Sequence, residues 1–78
     1  MKNASYEELL IDIENTQNEC LAYDKLSDGF YILSQLPENK ESGKSSEYWQ
    51  RSYYYSGLGV DCRKFLMRLL SIKEDRNI

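Results

Sequence analysis

The 78-residue chain has no histidine, one proline, four glycines and two cysteines. Each shortage excludes something. Without His, catalysis loses its commonest general base, and neither Ser–His–Asp nor Cys–His arrangements can be built. The remaining carboxylates are scattered along helical surface, so the chain is expected not to be an enzyme. Without His or a Cys-x-x-Cys pair, a zinc site has almost no ligands to draw on, and neither metal nor cofactor is expected. Cys20 and Cys62 are too few for a disulfide framework. They read as buried free thiols, each on an apolar stripe. An antiparallel hairpin would bring them near each other, although a cytosolic setting argues against a bond. No apolar run approaches the ~18 residues needed to span a bilayer. Residues 1–8 turn acidic at once and lack the apolar stretch of a signal peptide. The expected location is cytoplasmic, with no membrane partner. Two glycine-containing segments, 57–59 and 42–45, lack the spacing and the preceding strand of a phosphate loop.

What is present points to helix. Hydrophobic residues make up 41% and aromatics 13%, too much for a disordered chain. Ser5 and Glu8 fit a capping box. Beyond it Tyr6, Leu9, Leu10, Ile13, Thr16, Cys20 and Tyr23 recur at intervals of three and four, the period of one helix face. The dense run at 30–36 is expected to continue this helix to about residue 36. A kink or register shift at Gly29 would explain why Leu26, Leu33 and Leu36 lie off the stripe. Pro37 ends it. Residues 37–45 read as a polar loop, with Ser45 or Ser46 as the next N-cap. A second helix is predicted over about 46–74, with a second possible kink at Gly57–Gly59, followed by a short tail.

The second helix carries two apolar stripes. Tyr54, Tyr55, Leu58, Cys62, Phe65, Leu66, Leu69 and Ile72 form a seam assigned to the core. Trp49, Tyr53, Val60 and Met67 lie on roughly the opposite side. A helix in a two-helix hairpin needs one apolar face, so the other must be covered. The expected fold is therefore all-α: one domain over 1–78, an antiparallel hairpin of two long helices that dimerises into a four-helix bundle. A three-helix monomer, with 30–36 folded back, is the alternative.

Net charge is −3, with a pI near 4.9. The first half is acidic, through Glu7, Glu8, Asp12, Glu14, Glu19, Asp24 and Asp28 among others, and the second half is basic. The acidic face reads as ordinary solvated helix, or as an imitation of a phosphate backbone. The segment 49–55 is the most unusual, because aromatics beside an Arg are enriched in protein interfaces. The expected function is a non-enzymatic protein-binding module: a small adaptor, regulator or inhibitor of a larger protein or nucleoprotein. Its contact residues would be Trp49, Tyr53, Val60 and Met67, rimmed by Arg63 and Lys64. Inhibitors of host machinery carried by mobile elements share this size class. Two alternatives stand beside it. One is a nucleic-acid or nucleotide binder using Arg51, Tyr53, Arg63, Lys64 and Arg68. The other is a purely structural homodimer.

Overall fold

A computed structural model describes residues 2–76, with the side chains of 2–5 outside the described set. The described residues form three helices: α1 (Lys2–Gln35), α2 (Pro37–Ser42) and α3 (Ser45–Arg76). The two long helices pack against each other as an antiparallel hairpin, a rod of 58 × 15 × 13 Å. None of the helices is long and apolar enough to cross a membrane.

Both long helices follow a strict heptad. The inward positions of α1 are 6, 9, 13, 16, 20, 23, 27, 30 and 34. Those of α3 are 45, 48, 52, 55, 59, 62, 66, 69 and 73. All are buried or half-buried. The alternation of three and four is the repeat that keeps one seam facing a partner helix. Observed contacts set the register: Ser34 meets Ser45, Ser27 meets Ser52, Tyr23 stacks on Tyr55, and Phe30 stacks on Tyr48. Facing residues thus have numbers that total 78 or 79 along the whole rod.

The layers change character along the rod. At the open end Leu9, Ile13 and Leu69 make the aliphatic core, with Leu66 and Leu70 against it. The middle is built from small residues, Thr16, Cys20, Gly59 and Cys62. Toward the loop, serine layers alternate with aromatic ones. Tyr23, Tyr55, Phe30 and Tyr48 form a ladder with ring centroids 5.7–6.4 Å apart. The Arg51 guanidinium lies 5.7 Å from the Phe30 ring centroid, a distance that suits a cation–π contact.

Four expectations need correction. First, α1 begins at Lys2, so Ser5 lies inside the helix rather than at its cap. The Ser5 side chain of the expected capping box falls outside the described residues. Second, α1 is continuous through Gly29, and no register shift is needed there. The seam simply continues in Ser27, Phe30 and Ser34, leaving Leu26 and Leu33 exposed. Third, the stretch 37–45 is not all loop. Leu36 is extended, Pro37 opens α2 at its first turn, and Gly43 closes it at φ 81°. Pro at the start and a left-handed Gly just past the end are the expected signs of a short helix. No α2 residue is buried, so α2 adds no third packing layer.

Fourth, the α3 core seam is turned about 65° from the expected one, at 100° per residue. Tyr54, Phe65 and Ile72 are exposed. Ser52 and Gly59 occupy the seam instead, because small residues let the helices approach. α3 is continuous through Gly57 and Gly59. A Cβ on Gly59 would come 3.1 Å from Asp24 Oδ1, whereas Gly57 faces open space.

Candidate functional site

The residues expected to meet a partner stand together. Trp49, Tyr53, Val60 and Met67 fall within an arc of about 40° on α3, some 120° from the core seam. They span about 27 Å along the helix axis at 1.5 Å per residue. Nothing in the hairpin covers them: Tyr53 is 72% exposed and Met67 68%. The segment 30–36 continues α1 and does not fold back over them. Trp49 and Tyr53 stack on each other, ring centroids 5.8 Å apart, so two large exposed rings form one contiguous patch. The register sets Tyr31 of α1 opposite Trp49, and Tyr31 is exposed as well.

Arg63 and Lys64 flank the stripe on its two sides. Arg63 reaches across the hairpin to Asp24 at 2.7 Å, a half-exposed ion pair that holds its guanidinium beside Gly59. It is the one ion pair between α1 and α3 among the described residues, so the opposite charges of the two halves are mostly unpaired. Lys64 is exposed. Beside Trp49 the surface is concave, lined by Lys40, Gly43, Ser45 and Ser46.

The residues named for nucleic-acid binding do not share a face. Tyr53, Lys64 and Arg68 lie on one side of α3, and Arg51 lies on the other. Arg51 is held by Glu47 at 2.8 Å and by Phe30, and Arg63 by Asp24. Two of the four cations of that set, Arg51 and Arg63, are thus already matched to carboxylates.

Two features go further than the expectations above, the second by sharpening the expected proximity of Cys20 and Cys62 in a hairpin. One is a second exposed apolar flank, on the other side of the core seam, formed by Leu26, Leu33, Tyr54, Phe65 and Ile72. The heptad signals it: Leu26, Leu33, Phe65 and Ile72 all occupy the position just before a seam residue. The other is direct contact between the thiols. Cys20 Sγ lies 2.8 Å from Cys62 Sγ, and Cys62 donates to the Thr16 carbonyl at 3.5 Å. Burial, then the neighbouring Cys20 thiol, pushes the Cys62 thiol from 9.0 up to about 11, with Arg63 pulling the other way. Among the described residues no three Cys, Asp or Glu side chains converge as metal ligands.

No protein-family model, curated protein or solved structure matches this chain.

Proposed function

We propose that this chain is a non-enzymatic protein-binding module, an adaptor, regulator or inhibitor that docks on a larger protein through Trp49, Tyr53, Val60 and Met67. The exposure of the stacked Trp49–Tyr53 pair on an uncovered helix face carries this reading. Trp, Tyr and Arg are the side chains that dominate contact energy in protein interfaces. At the rim, exposed Lys64 suits an acidic group on the partner, while Arg63 is already matched by Asp24.

The accessible surface supports an occupant. A compact monomer of 9.2 kDa exposes about 4,900 Å² by the size scaling of folded proteins. The rod exposes 6082 Å². The excess, on the order of 1,100 Å², exceeds the ~800 Å² that each partner gives to a standard interface.

The same reading includes a homodimer, with two hairpins forming a four-helix bundle in the cytoplasm. Its contact is the Leu26, Leu33, Phe65 and Ile72 flank, which widens the core stripe as bundle helices require. These residues lie at opposite ends of the flank. A two-fold related copy running head to tail sets Leu26 and Leu33 against Phe65 and Ile72 of the second chain. The Trp49 stripe is then left free for the larger partner.

Sedimentation velocity over a wide concentration range tests both parts. The expected result is a dimer that becomes monomeric in Phe65→Ser/Ile72→Ser and stays dimeric in Trp49→Ala/Tyr53→Ala. A concentration-independent monomer removes the dimer. Dissociation on Trp49→Ala/Tyr53→Ala would assign the stripe to self-association and leave no free docking face there.

A further inference from the structure

We propose that Cys20 and Cys62 form a reversible intramolecular dithiol–disulfide site that clasps α1 to α3 at the middle of the rod. The heptad puts the two residues on facing helices in neighbouring layers, where Cys20 faces Gly59 and Cys62 faces Thr16. Their sulfurs are 2.8 Å apart, already in thiol–thiol hydrogen-bond contact. A bonded pair sits at about 2.05 Å, so the remaining closure is under an ångström. The residues facing them, Gly59 and Thr16, are small, so neither thiol is opposed by a bulky side chain from the other helix. The two residues are 42 positions apart in sequence, so the bond would close the loop-side half of the hairpin into a covalent ring.

Access differs between the two thiols. Cys20 is buried and Cys62 half-buried. The reaction therefore starts at Cys62. With a small-molecule disulfide as oxidant, the Cys62 proton goes to solvent and its thiolate attacks one sulfur of the reagent. The reagent's S–S bond breaks, and one reagent thiolate leaves with the electron pair. Cys20 then loses its proton and attacks Cys62 Sγ, and the second reagent thiolate leaves. In sum, the two protein thiols are oxidised to one disulfide and the reagent disulfide is reduced to two thiols. Burial of Cys20 disfavours a bond to a second copy of the chain. Two thiols with no third ligand do not make a metal site.

The proposal matters for this fold because, among the described residues, the buried apolar core consists of Leu9, Ile13, Cys20 and Leu69. A covalent clasp at mid-length would hold the face presented by α3 even where the core is thin.

The test equilibrates the full chain at pH 8 in glutathione buffers of increasing oxidised fraction. Samples are quenched with acid, alkylated with N-ethylmaleimide in denaturant, and weighed intact. The expected product is a single chain lighter by two hydrogens, unalkylated, with a Cys20–Cys62 cross-link in the peptide map. Formation should be favoured roughly 100-fold over the same equilibrium in urea, the counterpart of the stabilisation such a loop brings. Cys20→Ser, checked for helix content by circular dichroism, should instead stop at a glutathione adduct on Cys62. Two glutathiones on the wild-type chain, two thiols that stay alkylatable, or disulfide-linked dimers would each overturn the proposal.

Discussion

Ser27 and Ser52 exchange hydrogen bonds across the hairpin. The Ser52 hydroxyl donates to the Ser27 carbonyl at 2.8 Å, and the Ser27 hydroxyl donates to the Ser52 carbonyl at 3.0 Å. Each carbonyl belongs to a helix and is shared with a hydroxyl from the facing one. The layer joins α1 and α3 through short polar side chains, with Ser52 buried and Ser27 half-buried. Ser34 and Ser45 form a related layer one heptad on, with the Ser45 hydroxyl on the Ser34 carbonyl at 2.6 Å.

This exchange is measurable. Ser27→Ala and Ser52→Ala should each cost about 1 kcal/mol, the usual net value of a hydrogen bond. The double variant should cost less than the two together by a coupling of about 0.5–1 kcal/mol, because the hydroxyls also approach each other at 3.4 Å. Urea unfolding of the four proteins in the cycle gives the number. Strict additivity would mean that the two serines act independently, and that the layer is held by helix proximity alone.

The four glycines should separate by geometry. Gly29 and Gly57 lie within continuous helices with nothing within 4 Å of an added Cβ. Gly29→Ala and Gly57→Ala should each stabilise the chain by about 0.5–1 kcal/mol through helix propensity. Gly43→Ala should destabilise by about 1 kcal/mol, because its φ of 81° is left-handed. Gly59→Ala sits between these limits, since the new methyl meets Asp24 Oδ1 at 3.1 Å and the carboxylate must turn aside. Thermal melts rank the four. A loss of stability in Gly57→Ala would show that a neighbouring chain approaches that backbone in solution.

The same residues explain what the sequence made legible. The α1 stripe was readable over 6–23 because its inward positions are apolar there. Beyond residue 23 the seam passes through Ser27 and Ser34, and polarity no longer marks it. In α3 the difficulty is greater. Ser45, Ser52, Gly59 and Lys73 hold four of nine inward positions, while Tyr54, Phe65 and Ile72 are apolar and face out. A search by apolarity alone therefore rotated the seam toward the larger side chains. The strict alternation of three and four, traced jointly on both helices, is the signal that survives. The Trp49 stripe escaped this error because it lies far from either version of the seam. Residues 37–43 misled for another reason: their polar composition reads as loop, whereas Pro37 and Gly43 bracket a short helix.

The Cys62 thiol makes stability depend on pH in a defined window. Burial and the Cys20 contact raise it from 9.0 to about 11 in the folded chain. Between these values the unfolded chain loses the proton first, so it binds fewer protons than the folded one. Stability is then full below pH 9 and falls as pH rises toward 11. The readout is the difference between the reduced wild type and Cys62→Ser, which cancels contributions common to both. That difference should decline between pH 9 and 11 in urea melts. A flat difference would place Cys62 in a solvated setting, without close contact to Cys20.

The docking stripe makes the sharpest demand on function. Trp49 and Tyr53 are exposed and stack on each other rather than into the core, so replacing both with Ala should leave helix content unchanged and stability within about 0.5 kcal/mol. Any partner that uses the stripe should lose at least tenfold in affinity, because a buried Trp or Tyr anchor is worth about 2 kcal/mol or more. A photo-crosslinking residue at position 53 identifies such a partner in cells, with position 61 on another side of α3 as control. The captured protein is then purified and titrated against wild type and the double variant. Equal affinities would remove Trp49 and Tyr53 from the interface. Binding would then have to be sought on the acidic face of α1, where Glu7, Glu14 and Asp28 point away from α3 at one heptad position.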